Sequence, residues 1–488
     1  MSDIEKTPPA FQGNDRLLLG LILSVLTFWL FAQTMLNVAP VMGKELGADS
    51  SMMNIAVSSA ALFSGIFTVV MGGLADRIGR MRIMVLGLWC SMIGSLVIAL
   101  APVGALSMPV LLLGRVLQGF SAACIMPASL ALVKTYWDGA ARQRAVSLWS
   151  IGTWGGSSLC SLFGGLVAQN WGWRWIFFAS VAVAALGLFL IRGAPESKAE
   201  PVDGYKFDWA GVLTFMVAVV ALQVGVTQGA KFGWTSPLLL VLVAVTAIFG
   251  TAFVWAESKA KNAFLDFKLF RNPTYAGATL SNFLLNGVAG TLFVSLQLVQ
   301  RGGTMTAQQA GSLTLGYAIA VISFIRVGEK LLQRFGSRRP MIWGSLITGT
   351  AILLLSPAHL LQEQYRIFAM VGYALFGMGL AFYATPSTDA ALSSLPAEQA
   401  GAGAGIYKMA SSLGASFGVA ISATIFTSIS ADNSRVRWLE GVLGFVGRQD
   451  NLAIREAAMV ALMFNVLIIA MVIASIMLTV PKQKRGSQ

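Results

Sequence analysis

Apolar runs of about 20 residues recur along the whole chain, each long enough to cross a bilayer as a helix rising ~1.5 Å per residue. Fourteen of them begin near Leu17, Met52, Ile83, Ser107, Ala145, Trp173, Trp209, Ser236, Thr274, Ala307, Met341, Tyr365, Ala404 and Ala457. Hydrocarbon offers the backbone no hydrogen-bond partner, so only helices and closed barrels span it. The alternating ten-residue pattern of a barrel strand is missing. Charged residues make up 11% of the chain and hydrophobic ones 56%, whereas a soluble surface takes roughly 25% charge. The expected fold is an all-α membrane protein with fourteen transmembrane helices.

A glycine-marked basic hairpin divides those helices into related sets. Gly72-Gly-Leu-Ala-Asp-Arg-Ile-Gly-Arg-Met-Arg82 lies between the second and third runs, and Leu332-Gln-Arg-Phe-Gly-Ser-Arg-Arg339 between the tenth and eleventh. Placing Gly79 on Gly336, an offset of 257 residues, also places Arg77 on Arg334 and Arg82 on Arg339. Ser157-Ser-Leu-Cys-Ser-Leu-Phe-Gly164 repeats as Ser411-Ser-Leu-Gly-Ala-Ser-Phe-Gly418 at an offset of 254. The two offsets pair each run with the one eight places later. Two pseudo-symmetric six-helix bundles with an inserted helix pair follow, the duplicated plan of secondary transporters. The expected boundaries are a tail at 1–16, a first bundle at 17–192, a linker at 193–208, the inserted pair at 209–256, a linker at 257–273, a second bundle at 274–480 and a tail at 481–488.

The net charge of +13 is topology rather than a nucleic-acid signal. Its excess sits in loops around Arg77–Arg82, Lys134–Arg144 and Lys259–Arg271, which the positive-inside bias assigns to the cytoplasm together with both termini. The first sixteen residues are polar, without a small-residue cleavage site, so Leu17 opens a retained helix rather than a signal peptide. Cys90, Cys124 and Cys160 all fall inside apolar runs and offer neither a disulfide framework nor a metal set. The single histidine, His359, sits in a predicted outer loop, and no phosphate-binding glycine loop precedes a Lys-Ser/Thr pair. Enzyme chemistry, ATP hydrolysis and a cofactor are therefore not expected.

Several segments together resemble the major facilitator superfamily, in its fourteen-helix drug:proton antiporter type, over nearly the full length. Gly72 to Arg80 resembles the signature between its helices 2 and 3. Leu113-Gly-Arg-Val-Leu-Gln-Gly-Phe120 resembles the helix 4 motif, and Gly156 with Gly164-Gly165 the antiporter motif of helix 5. Asp208-Trp-Ala-Gly211 and Gly233-Trp234 are similar to the inserted pair. Phe28-Trp-Leu-Phe-Ala-Gln33 and Arg326-Val-Gly-Glu-Lys-Leu-Leu332 most resemble staphylococcal quinolone-efflux pumps. Two positions depart from the pattern: Cys160-Ser161 stands where Gly-Pro usually kinks helix 5, and Gln33 and Asn37 stand where many relatives carry an acid in helix 1.

The residues suggest three working parts. Gly73, Asp76, Arg77, Gly79 and Arg80 are expected to latch an inner gate, because paired glycines allow close helix approach and the acid can cap a helix or accept from arginine. Arg115 lies mid-membrane, where a bare guanidinium costs ~2.5–3.5 kcal/mol, so it must meet carbonyls, water or an acid, with Gln118 three residues on in reach. The resemblance implies a role for Arg115 in proton coupling. Arg326 and Glu329, spaced i,i+3, can pair on one helix face. Glu329 and Asp389 are the acids placed to carry a proton, and Lys408 either snorkels or pairs with an acid. For substrate, Trp29, Gln33 and Asn37 share a face at i, i+4, i+8, as do Asn282 and Asn286, while Trp154, Tyr317 and Tyr383 are candidate aromatic lining. The expected function is proton-coupled export of amphipathic, drug-like small molecules by a monomer in a bacterial cell membrane. Its alternative is a single-metabolite exporter or facilitator of the same fold.

Overall fold

The computed structural model describes residues 12–482 except 138–140, 142–144, 146–147, 150, 199–207, 234, 261–264, 266, 304, 359–361, 396–399 and 432–450. His359 falls outside the described residues. All regular structure among those described is helical. The first group comprises α1 (Asp15–Leu46), α2 (Ser50–Ile78), α3 (Arg80–Ala99), α4 (Ser107–Tyr136), α5 (a π turn at Ile151–Gly155 continued by Gly156–Asn170) and α6 (Arg174–Ile191). Next come α7 (Trp209–Phe232) and α8 (Pro237–Lys259). The last group is α9 (Pro273–Gly302), α10 (Ala307–Phe335), α11 (Arg338–Leu355), α12 (Gln362–Ser393), α13 (Ala400–Ala431) and α14 (Leu452–Thr479). Twelve spans among the described residues are long and apolar enough to cross a membrane; α5 and α11 are outside that set.

Local chemistry starts these helices where the runs begin. Asn14 accepts from the Leu17 N–H, and Asp49 from the N–H groups of Ser51 and Met52. Ser236 and Asn272 cap helices whose first residue is proline, a position needing no amide donor. Thr306 and Gln309 form a reciprocal capping box at the start of α10.

The same packing recurs eight helices apart. The first group packs α3 on α4, α2 on α4 and α3 on α6, and the last group packs α11 on α12, α10 on α12 and α11 on α14. Two seams join the groups, α2 with α13 and α5 with α10. Small residues let these backbones approach: Gly165 lies against Ala307, and Gly311 against the Ser161 carbonyl. α7 and α8 pack chiefly on each other. Of the two, α7 packs outside the α2–α13 seam, tied by Gln223 to the Ser58 hydroxyl at 2.7 Å and by Gln228 to the Ser51 carbonyl at 3.3 Å. Only 11% of the apolar window of α8 is buried, leaving the rest for lipid.

Candidate functional site

Between the two groups lies a cavity of about 1370 Å³ including its mouth. Two π turns shape one wall. Thr27–Phe31 interrupts α1 and is followed by a 3-10 turn at Ala32–Thr34, while Ile151–Gly155 leads into Gly156–Asn170 of α5. Such turns widen a helix locally and re-aim its side chains. They carry Phe28, Trp29, Thr153 and Trp154 to the cavity surface. In α5 the irregularity therefore lies ahead of Cys160-Ser161, which sits in unbroken α-helix.

Trp29, Gln33, Trp154, Asn282, Asn286, Tyr317 and Tyr383 all line this cavity. Asn282 donates to the Tyr407 carbonyl at 3.0 Å and the Ser411 hydroxyl at 2.6 Å, and Asn286 donates to the Asn282 side-chain oxygen at 2.9 Å. Trp29 donates to Met126 Sδ, and the Tyr383 hydroxyl meets that of Ser281 at 2.6 Å. These bonds hold the amides and rings in place. Asn37 is the exception to the sequence expectation. It is fully buried away from the cavity, donating to the carbonyls of Ser161 at 2.7 Å and Ala307 at 3.1 Å while accepting from Gln300 at 2.9 Å. The irregular turns after Trp29 shift the helical phase, so i+8 no longer shares its face. Asn37 ties α1 to α5, α9 and α10 at one end of the bundle. Arg301, reaching the Ser50 hydroxyl at 3.0 Å, and Asn54, reaching Thr427 at 3.3 Å, join the groups at the same end.

At the opposite end the α5–α10 seam parts. Gly155 and Ile322 still approach, but Ile151 and Ile322 are 45% and 43% exposed. One and two turns further on, Arg326, Glu329 and Lys330 are exposed. Arg326 and Glu329 make no hydrogen bond or ion pair with each other or with any described residue, so the expected i,i+3 pair is not formed. Nor does Asp389 lie within the cavity wall: it is exposed beside the second hairpin and accepts from the Ser337 hydroxyl at 3.2 Å. The apolar runs placed these acids in low dielectric, but the parting of the helix faces gives them an open surface.

Arg115 shows the reverse, a charge consumed by structure. It is 1% exposed and donates to the carbonyls of Ala56 at 2.8 Å, Ala32 at 2.8 Å and Val57 at 2.9 Å, and to Gln118 Oε1 at 2.9 Å. Gln118 passes the chain of bonds to Ser95 at 3.1 Å. The Ala32 carbonyl comes from the 3-10 turn of α1, where the regular i→i−4 ladder is broken.

The two hairpins close alike, each with a glycine at positive φ: +132° at Gly79 and +71° at Gly336. L-residues with a Cβ rarely adopt either conformation. Side chains of Asp76 and Arg77 lie outside the described residues, and Gly73 is exposed. A partner missed by the sequence reading is Glu196, whose carboxylate accepts from the N–H groups of Met81 at 2.9 Å and Arg82 at 3.1 Å. An anion there satisfies the free amides at the start of α3 and complements its dipole. An added Cβ at Gly79 would strike that carboxylate. Arg80 donates to Thr135 at 2.7 Å and to the Ser197 hydroxyl at 3.1 Å, fastening the hairpin to α4 and to the segment after α6. No motif spacing marks Glu196, because it acts across 114 residues of chain. Glu196→Ala is expected to cost about 1 kcal/mol, the size of a lost N-cap, with Glu196→Gln falling between it and the parent. Thermal unfolding of the purified proteins measures this, and an unchanged melting temperature in Glu196→Ala rejects the capping role.

The model of the Major Facilitator Superfamily matches residues 17–419 and again residues 273–485. The chain is 46% identical over 445 residues to the quinolone resistance protein NorB of Staphylococcus aureus strain MRSA252, covering 89% of this chain and 95% of that protein. NorB of strain Newman is also 46% identical over 446 residues, with coverage of 90% and 96%. Among solved structures, an auto-inhibited POT family peptide transporter superposes with a TM-score of 0.66 at 15% identity, covering 97% of this chain and 98% of its own. The xylose transporter XylE from E. coli, partially occluded and inward open, gives 0.61 at 14% identity, covering 96% and 99%. A full-length family match, a multi-pass helical bundle and a cavity between two packed groups agree: this chain belongs to the major facilitator superfamily.

Proposed function

We propose that the chain is a proton-driven exporter of amphipathic, drug-like small molecules, working by alternating access in a bacterial cell membrane. The observation that carries this reading is the cavity, tied shut at the Asn37 end and parted at the Glu329 end. The two NorB proteins bring quinolones forward as the substrate class. In this reading α1–α14 all cross the membrane, with residues 17–192 and 274–480 as pseudo-symmetric bundles and 209–256 as an inserted pair. The doubled family match over 273–485 and the contacts repeated eight helices apart support it. The parted end, with its basic hairpins, faces the cytoplasm together with both termini. The unit is a monomer without a cofactor.

The cavity residues Trp29, Gln33, Trp154, Asn282, Asn286, Tyr317 and Tyr383 hold substrate, whereas Asn37 seals the outer end. Gly73, Asp76, Arg77, Gly79 and Arg80 form the hinge and latch of the inner end. Glu329 lies two turns along α10 from Ile322, on the face that approaches α5. Glu329, exposed at the parted end, is the first candidate carrier of the coupled proton. Arg326 stands one turn from it on the same helix, Arg115 holds the surrounding frame, and Asp389 is the second candidate carrier. Proton entry supplies ~2.3 kcal/mol per charge per 100 mV, plus the pH gradient.

In inverted vesicles acidified inside, the chain should accumulate norfloxacin several-fold, and nigericin should abolish the accumulation. Accumulation that survives nigericin removes proton coupling. Quinolones and unrelated drugs all failing while a single metabolite is carried would leave only the narrower exporter reading.

A further inference from the structure

We propose that Lys408 makes the central cavity selective for aromatic carboxylates, by meeting the substrate's anionic group. The inference rests on the reading of this cavity as the substrate site. Lys408 shares one face of α13 with Ser411 and Ala415, at i, i+3 and i+7, and all three line the cavity. No other charged side chain lines it among the described residues, and no carboxylate does. Lys408 makes no hydrogen bond or ion pair with any described residue. Arg115 offers the contrast, since its guanidinium is already bound by three carbonyls and an amide.

An ammonium held in largely apolar surroundings without a partner is costly. An anionic ligand relieves that cost, whereas a cationic ligand adds like-charge repulsion. Trp29 and Trp154 line the same space. The cavity therefore offers aromatic rings and one point charge, which fits an aromatic acid. Gln33, standing on the cavity wall in place of an acid, agrees with that polarity. A carboxylate bound to an ammonium gains roughly the strength of a charged hydrogen bond, corresponding to a 10- to 100-fold affinity difference.

Equilibrium dialysis of the purified full chain in detergent free of anionic lipid tests the assignment, using nalidixic acid, its uncharged ethyl ester and ethidium. The parent should bind the acid roughly 10- to 100-fold more tightly than the ester. Lys408→Met should lower acid affinity to that of the ester, leave the ester unchanged and improve ethidium binding. Lys408→Arg should retain the preference. Equal binding of acid and ester by the parent overturns the proposal without any variant. So does a preference that survives Lys408→Met, or loss of acid and ester together in both Lys408→Met and Lys408→Gln. Displacement of the acid by phosphatidylglycerol at equimolar concentration reassigns the charge to lipid headgroups and overturns it as well. Vesicle uptake separates the two readings. Lys408-dependent acid binding without uptake removes export but leaves the anion site standing, and uptake indifferent to Lys408 does the opposite.

Discussion

Arg115→Lys is expected to destabilise the protein by about 2–4 kcal/mol and to reduce transport with it. Lysine keeps the charge but replaces a planar fork by a single point of donors. It cannot reach Ala32, Ala56 and Val57 at once, and these carbonyls come from two different helices. Each buried acceptor left unsatisfied costs ~1–3 kcal/mol. The loss should appear as a lower melting temperature in detergent and as weaker binding between α1, α2 and α4, read as faster amide exchange in those helices. A lysine variant that melts with the parent but fails to transport would move Arg115 from framework to coupling. One that matches the parent in both would leave the hydrogen bonds without consequence.

Asn37→Ala should shift the conformational balance rather than the fold. Asn37 and Gln300 share bonds across the closed end, with Gln300 donating to the Asn37 carbonyl at 3.1 Å and side-chain oxygen at 2.9 Å. Removing the Asn37 amide leaves its backbone carbonyl available to Gln300 but frees Ala307 and Ser161. Ser161 belongs to the same group as Asn37, so two of these bonds cross the seal, and at ~0.5–1.5 kcal/mol per bond their loss raises the population open at this end by roughly 10- to 100-fold. Hydrogen exchange should quicken at Ala307–Leu313 and across Gly156–Asn170, while the α2–α4 core keeps its protection. Unchanged exchange in those two segments would remove Asn37 from the seal. Together the two variants separate residues that hold each group from residues that hold the groups together.

The framework and sealing residues differ in how far they could be read beforehand. The helices were legible because hydrocarbon forces every backbone group to be satisfied within its own span, so an apolar run translates almost directly into an element. The hairpin glycines were legible for a similar reason, since Gly79 and Gly336 mark conformations that a Cβ resists. Arg115 announced a partner by its cost in lipid, and the amides and aromatics of α1, α9 and α10 announced a wet interior. Where the reading went astray, the geometry of a real helix or seam had intervened. The phase shift through Thr27–Thr34 turned Asn37 away from Trp29, and Arg326 and Glu329, exposed where α5 and α10 part, pair neither with each other nor with another described residue.

By itself, then, the sequence determined an all-helical membrane protein, its duplicated hairpins and seven of the side chains that line the cavity. These follow from local rules of burial, periodicity and backbone freedom. Only the tertiary structure decided which carbonyls receive Arg115, that Glu196 caps α3 from across 114 residues, and that Lys408 stands in the cavity without a partner among the described residues. Those are relations between distant segments. They depend on how helices twist, part and approach, and a linear pattern of polarity does not record that.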